Sequence, residues 1–134
     1  MGLGPVSWKL KRAFTVAHST LEAEFTGLIE GTKEALWLRG LYSEINRPVS
    51  GLITLYGDNK GAIDTAHNPK HHSRTKHTLL KFQGVRECVS KGHITVKYVP
   101  TEEMAADGLT KALSPVKHKA FLALLNLYRP DPDL

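Results

Sequence analysis

The chain has little that would lock or anchor it from outside. It carries one cysteine, Cys88, so no internal disulfide forms, and a lone thiol fits a reducing compartment. The plain reading of Cys88 is a small apolar side chain inside a helix. No apolar run approaches the roughly 18 residues that a membrane-spanning helix needs. The opening "MGLGPVSWKLKR" puts its basic residues after its apolar ones, the reverse of a secretory signal. Neither secretion nor a membrane partner is expected. Repeats and low-complexity segments are absent. Aspartate is absent early: no Asp precedes residue 58, and those present are Asp58, Asp64, Asp107, Asp131 and Asp133.

What is present suits a small basic domain. A length of 134 residues suggests one domain, and 41% hydrophobic residues supply an ordinary core. Eighteen Lys and Arg against thirteen Asp and Glu leave a net charge of +5. That balance favours a polyanionic partner, nucleic acid first.

The apolar pattern gives the order of elements. "PVSWKLKR" (5–12) alternates Val6, Trp8 and Leu10 with Ser7, Lys9 and Lys11, the mark of a half-buried strand. A long helix is expected over 17–45, with Ser19 and Glu22 as a capping box. Its buried stripe would hold Leu21, Phe25, Leu28, Ile29, Leu36, Leu41 and Trp37, and Asn46-Arg47-Pro48 would end it. "GLITLYGD" (51–58) reads as a strand, and Asn59 is placed to cap a short helix over 60–67. "NPKHHSRTKH" (68–77) is a basic loop. Residues 77–91 read as a helix weakened by Gly84, and 93–99 as a strand stopped by Pro100. Thr101 would then cap a helix over "TEEMAADGLTKAL", and a last helix is expected over 116–127. Strands alternating with helices make an α/β pattern.

Three acids stand beside apolar positions in separate elements. Asp58 closes a strand, Glu24 lies near Leu21 and Leu28 in the first helix, and Asp107 sits in "MAADGL". An acid on an apolar face is costly unless paired or bound to metal. Three carboxylates converging on one point would suit Mg²⁺, which takes oxygen ligands. Taken singly, each is more often an exposed side chain or a helix cap. Glu22 is explained by its capping role alone.

The segments "GPVSWKLKR", "HSTLEAEF", "YGDNKGAI", "HHSRTKH" and "KYVPTEEMAADGLTK" resemble, in order and over nearly the whole chain, the ribonuclease H domain of copia-type LTR retrotransposon Pol polyproteins. The resemblance implies a ribonuclease H-like α/β fold, a mixed sheet with flanking helices, over 1–129, with 130–134 as a disordered tail. It implies metal-dependent hydrolysis of the RNA strand of RNA–DNA hybrids. Its metal-binding carboxylates fall on Glu24, Asp58 and Asp107, with two Mg²⁺ ions expected and Mn²⁺ as a substitute. The implied partners are the hybrid and the reverse transcriptase portion of the polyprotein. The implied place of action is the cytoplasm or the retroelement particle.

The chain departs from that pattern in places. The family uses a further Asp in its first strand, and this chain starts at the equivalent of the third strand, so the first two strands and that Asp have no counterpart here. Leu79 stands where the family has an acid, and Gly84 where it has a bulky apolar residue. These departures set a second reading beside the enzyme: an inactive remnant that binds nucleic acid through its basic surface. Within that surface Arg74, Lys76 and His77 are expected on phosphate, the plainer reading being a solvated basic loop. Asn59 and Lys60, beside Asp58, are expected at the minor groove of the hybrid, where 2′-hydroxyls mark the RNA. A zinc site among His67, His71, His72 and His77 lacks paired Cys and regular His spacing. Trp8 reads as core.

Overall fold

The computed structural model describes residues 4–10, 20–68 and 76–127. Side chains of Thr20, of residues 76–79 and of Lys81 lie outside that description. The chain falls into two compact units: residues 15–98, and residues 1–14 with 99–134.

The unit 15–98 is a mixed α/β arrangement. Its elements are α1 (Thr20–Glu44), β1 (Ile53–Gly57), α2 (Lys60–His67), α3 (Lys76–Ser90) and β2 (Ile94–Tyr98). Strands β1 and β2 pair in parallel, Ile53 with Ile94 through Gly57 with Tyr98. A parallel pair needs a crossover, and α2 and α3 supply it.

Helix α1 buries Phe25, Leu28, Thr32 and Ala35, a spacing of three and four that keeps one stripe inward. Thr32 is tolerated there because its hydroxyl donates to the Leu28 carbonyl at 2.7 Å. The core adds Ala62 and Ala66 of α2, Phe82 and Val85 of α3, and Ile94 and Val96 of β2. The rings of Phe25 and Phe82 meet at its centre, 4.0 Å between centroids and tilted by 58°. Cys88 packs half-buried at its edge, as a small apolar residue would.

Three expectations for α1 fail: Leu41 of the expected buried stripe is 39% exposed, and two others fail on the angle between neighbouring residues. Trp37 is 60% exposed, because it lies about 200° round the helix from Ala35. Glu24 is exposed too. It precedes Phe25, which is fully buried, and one residue is about 100° of turn. The premise of an acid held on the apolar face therefore does not hold for Glu24.

Helices α1 and α3 end in the same way. The Arg47 N–H reaches the Tyr42 carbonyl at 2.8 Å and the Asn46 N–H reaches Ser43 at 3.1 Å, with Asn46 at φ 56°. That is a Schellman motif, and it stops α1 at Glu44, four residues before Pro48. Gly92 (φ 69°) closes α3 in the same way, with His93 reaching the Cys88 carbonyl. From α1, Arg39 Nη2 donates to the carbonyls of Gly51 at 2.6 Å and His93 at 3.0 Å. One guanidinium thus holds the chain just ahead of both strands.

Helix α3 runs unbroken through Gly84, which is exposed, and a Cβ there would meet nothing within 4 Å. Gly84→Ala is expected to stabilise the unit by about 0.5–1 kcal/mol, read as a rise in the urea midpoint at unchanged slope. A fall would mean that this stretch of helix is not formed.

The other unit departs further from expectation. Residues 5–10 form no strand, and Val6, Trp8 and Leu10 are 64%, 72% and 66% exposed. Alternation needs a ladder partner to become a strand, and the described strands pair with each other. Trp8 is therefore not core. Residues 11 and 12 of the expected strand lie outside the described residues, as do Ser19 of the capping box and the tail from 128 onward.

Instead of an α-helix after Pro100 there are two 3-10 turns, Thr101–Glu103 and Ala105–Leu109. Met104, extended at φ −77° and ψ 95°, separates them. Pro100, not Thr101, takes the cap position and offers no side-chain bond. Helix α4 (Pro115–Leu124) follows, with Ser114 as N-cap and Pro115 in its first turn. Phe121 of α4 lies so close over Gly108 that a Cβ there would clash with the ring. Among the described residues no helix is long and apolar enough to cross a membrane.

Candidate functional site

Asp58 stands where strand β1 ends and α2 is about to begin. Gly57 closes β1, Asp58 is half-buried, and Asn59 opens α2. The Asn59 side chain accepts a hydrogen bond from the Ala62 N–H at 3.0 Å. This is the cap read from the sequence, so the Asn59 carbonyl oxygen is committed to the helix. Ligands of open parallel sheets gather outside the carboxyl ends of the strands, and Asp58 lies at such an end.

The other two acids stand differently. Glu24 is on the exposed side of α1. Asp107 is half-buried in the second 3-10 turn of the other unit, where Lys111 Nζ reaches its Oδ2 at 2.5 Å. Its carbonyl also receives the N–H groups of Thr110 and Lys111, both at 3.1 Å. Carboxylate oxygens have the chemistry that Mg²⁺ takes. Among the described residues, however, no group of three or more His, Cys, Asp or Glu side chains is placed to hold a metal ion.

The expected basic contacts are only partly in view. Lys60 is exposed in the first turn of α2, with its Nζ 4.8 Å from the centre of the Tyr98 ring. Arg74 lies outside the described residues, and Lys76 and His77 are described only as the backbone that begins α3. His67 has a defined role: its Nε2 is 3.0 Å from the Val96 carbonyl. A carbonyl only accepts, so Nε2 carries the proton and donates. That bond takes this nitrogen away from the zinc reading.

Sequence reading missed a recess of about 540 Å³ lined by Lys60, Gly61, Ile63, Asp64, His67 and Tyr98. Its signal was present. Positions 60, 63, 64 and 67 share one face of a helix. Tyr98 joins them only because β2 runs parallel to β1. Far from this region, the Lys91 ammonium hydrogen-bonds Glu87 and holds its carboxyl below the usual range. Lys91 is raised in return by Glu87, and both are exposed surface groups.

Relatives place these features in a wider setting. Over 133 residues the chain is 33% identical to the retrovirus-related Pol polyprotein from transposon RE2 of Arabidopsis thaliana. It is 32% identical over 133 residues to that from transposon RE1 of the same plant. With the Pol polyprotein from transposon TNT 1-94 of Nicotiana tabacum it shares 33% identity over 125 residues. This chain is similar to one segment of transposon Pol polyproteins. The alignments cover 99%, 99% and 93% of the chain, yet the chain spans 9% of the length of each of these curated relatives. No family model and no solved structure matches it. The similarity to Pol polyproteins takes in Glu24, Asp58 and Asp107 in two cases, since nearly every residue of the chain is aligned there.

Proposed function

We propose that the chain is the ribonuclease H-like segment of a retroelement Pol polyprotein and that its substrate is the RNA–DNA hybrid made during reverse transcription. The observation that carries this reading is Asp58, half-buried at the carboxyl end of a parallel strand, with Asn59 capping the helix that follows. The order of the sequence motifs and the similarity to Pol polyproteins support it. The net charge of +5 suits a polyanion. The proposed activity is Mg²⁺- or Mn²⁺-dependent hydrolysis of the RNA strand, with Glu24, Asp58 and Asp107 as the acids concerned. The proposed setting is the cytoplasm or the retroelement particle, beside the reverse transcriptase portion.

A second reading has a specific observation behind it. The Lys111 ammonium pairs with the Asp107 carboxylate at 2.5 Å, so this acid already has a cation beside it. On that reading the segment binds the hybrid without cleaving it.

One assay separates the two. The chain is incubated with an end-labelled RNA–DNA hybrid in Mg²⁺ and in Mn²⁺, beside Asp58→Asn. The enzyme reading expects cleavage of the RNA strand that Asp58→Asn abolishes. Retention of the hybrid in an electrophoretic shift, without cleavage, favours the binding reading. Absence of both retention and cleavage would remove each.

A further inference from the structure

We infer that the recess between α2 and the end of β2 holds a single unpaired nucleotide, with its base on the Tyr98 ring and its phosphate on Lys60. This rests on the proposal that the chain works on nucleic acid, and it adds a contact outside the carboxylates.

The chemistry of the lining carries the inference. Tyr98 is 45% exposed at the last position of β2, so its ring is accessible to a flat partner. Ile63 adds an apolar wall. A volume of about 540 Å³ falls in the range of small-ligand pockets. At present the Lys60 ammonium covers the ring, 4.8 Å from its centre. That contact is weak at an exposed position. A base stacks on the same face, and the displaced ammonium is then free to meet the phosphate attached to it. One cation thus serves the aromatic face when empty and the anion when filled.

The rest of the lining sets limits. His67 is held by the Val96 carbonyl at 3.0 Å, so it shapes the wall. Asp64 is the one acid in the lining, and Asn68 Nδ2 donates to its Oδ1 at 2.5 Å. Its carboxylate repels a phosphate, which confines the phosphate to the Lys60 end. It also accepts N–H donors, so a base with an exocyclic amino group fits there better than uracil or thymine. A base inside a duplex cannot stack on a side chain, so the occupant is a single-stranded nucleotide next to a hybrid, not part of it.

The test uses the full chain and two labelled probes: a blunt RNA–DNA hybrid, and the same hybrid with a short cytosine overhang. Anisotropy titrations at several salt concentrations are run on the wild type, Tyr98→Ala, Tyr98→Phe and Lys60→Gln. The overhang is expected to bind about tenfold more tightly, the gain commonly seen for one stacked base. Tyr98→Ala is expected to erase that gain and leave the blunt probe unaffected, while Tyr98→Phe keeps it. Lys60→Gln is expected to lower the salt slope for the overhang probe by about one ion. Blunt-probe binding with no overhang gain, or with a gain that survives Tyr98→Ala, overturns the recess and leaves the proposed function standing. No binding of either probe overturns both. Should Tyr98→Ala fail to fold, amide and ring shifts of the wild type on adding oligo(dC) decide. Changes centred on Lys60, Ile63, Asp64 and Tyr98 support the site, and changes elsewhere alone overturn it.

Discussion

Phe25→Ala is expected to cost the unit 15–98 about 3–5 kcal/mol, the range for removing a large buried aromatic side chain. Phe25 is the largest fully buried side chain alongside Ile94, and its ring rests against Phe82. Truncation opens a void where α1 meets α3 and leaves the Phe82 ring without its partner. Whole domains hold only about 5–15 kcal/mol in reserve, so the variant is expected to be partly unfolded at ambient temperature. Urea unfolding followed by far-UV circular dichroism gives the answer. A midpoint shift no larger than that of an exposed substitution such as Trp37→Ala would show that the core is not centred on this pair.

The second large effect is expected at Gly108. A Cβ there would clash with Cδ2 of Phe121 and sit 2.6 Å from its Cγ. Cγ is the root of the ring, so a swing of the ring tip does not relieve the clash. Either the turn Ala105–Leu109 or helix α4 must move. Overpacking of this kind costs roughly 1–3 kcal/mol. Gly108→Ala is therefore expected to lower amide exchange protection in α4 and leave Phe25, Phe82 and Ile94 unchanged. In the wild type the Gly108 α-protons should resonate well upfield, under the Phe121 ring. Ordinary glycine shifts, or full protection in the variant, would remove the contact. Asp107 lies beside this glycine in the same turn, so the variant also tests whether the Asp107–Lys111 pair depends on that packing.

Short-range signals were the most legible. Helix α2 runs over Lys60–His67, as read from the sequence, because Asn59 is a self-sufficient cap and the segment needs no distant partner. Strands β1 and β2 lie within one or two residues of their expected bounds, since β-branched alternation and the flanking Gly57 and Pro100 are local. What failed depends on residues far apart in the chain. The alternation of Val6, Trp8 and Leu10 is strand-like, but a strand is a relation between two segments. Glu24 and Trp37 sit one and two residues from buried positions, and a periodic pattern does not resolve a single helical step when apolar residues flank it. The 3-10 turns after Pro100 share their composition with an α-helix start, and the dihedral angles of Met104 alone divide them. Of the candidate site, Asp58 and its capping neighbour were legible. The recess was not, because Tyr98 reaches α2 only through the parallel pairing.

The grip of Arg39 bears on how the unit assembles. Every rung of the ladder joins residues with two helices between them, so none forms by a local hairpin. Closing such a loop costs chain entropy before any rung repays it, and topologies of this kind fold more slowly than those built on near neighbours. Arg39 touches Gly51, twelve residues on, and His93, far down the chain. Its nearer contact closes the shorter loop, at the smaller cost in chain entropy, and holds the first strand's entrance against α1. The farther contact then captures the second entrance at the same guanidinium. In the folded unit the two strand entrances are thus tied to one side chain beside their first rung, Ile53 with Ile94.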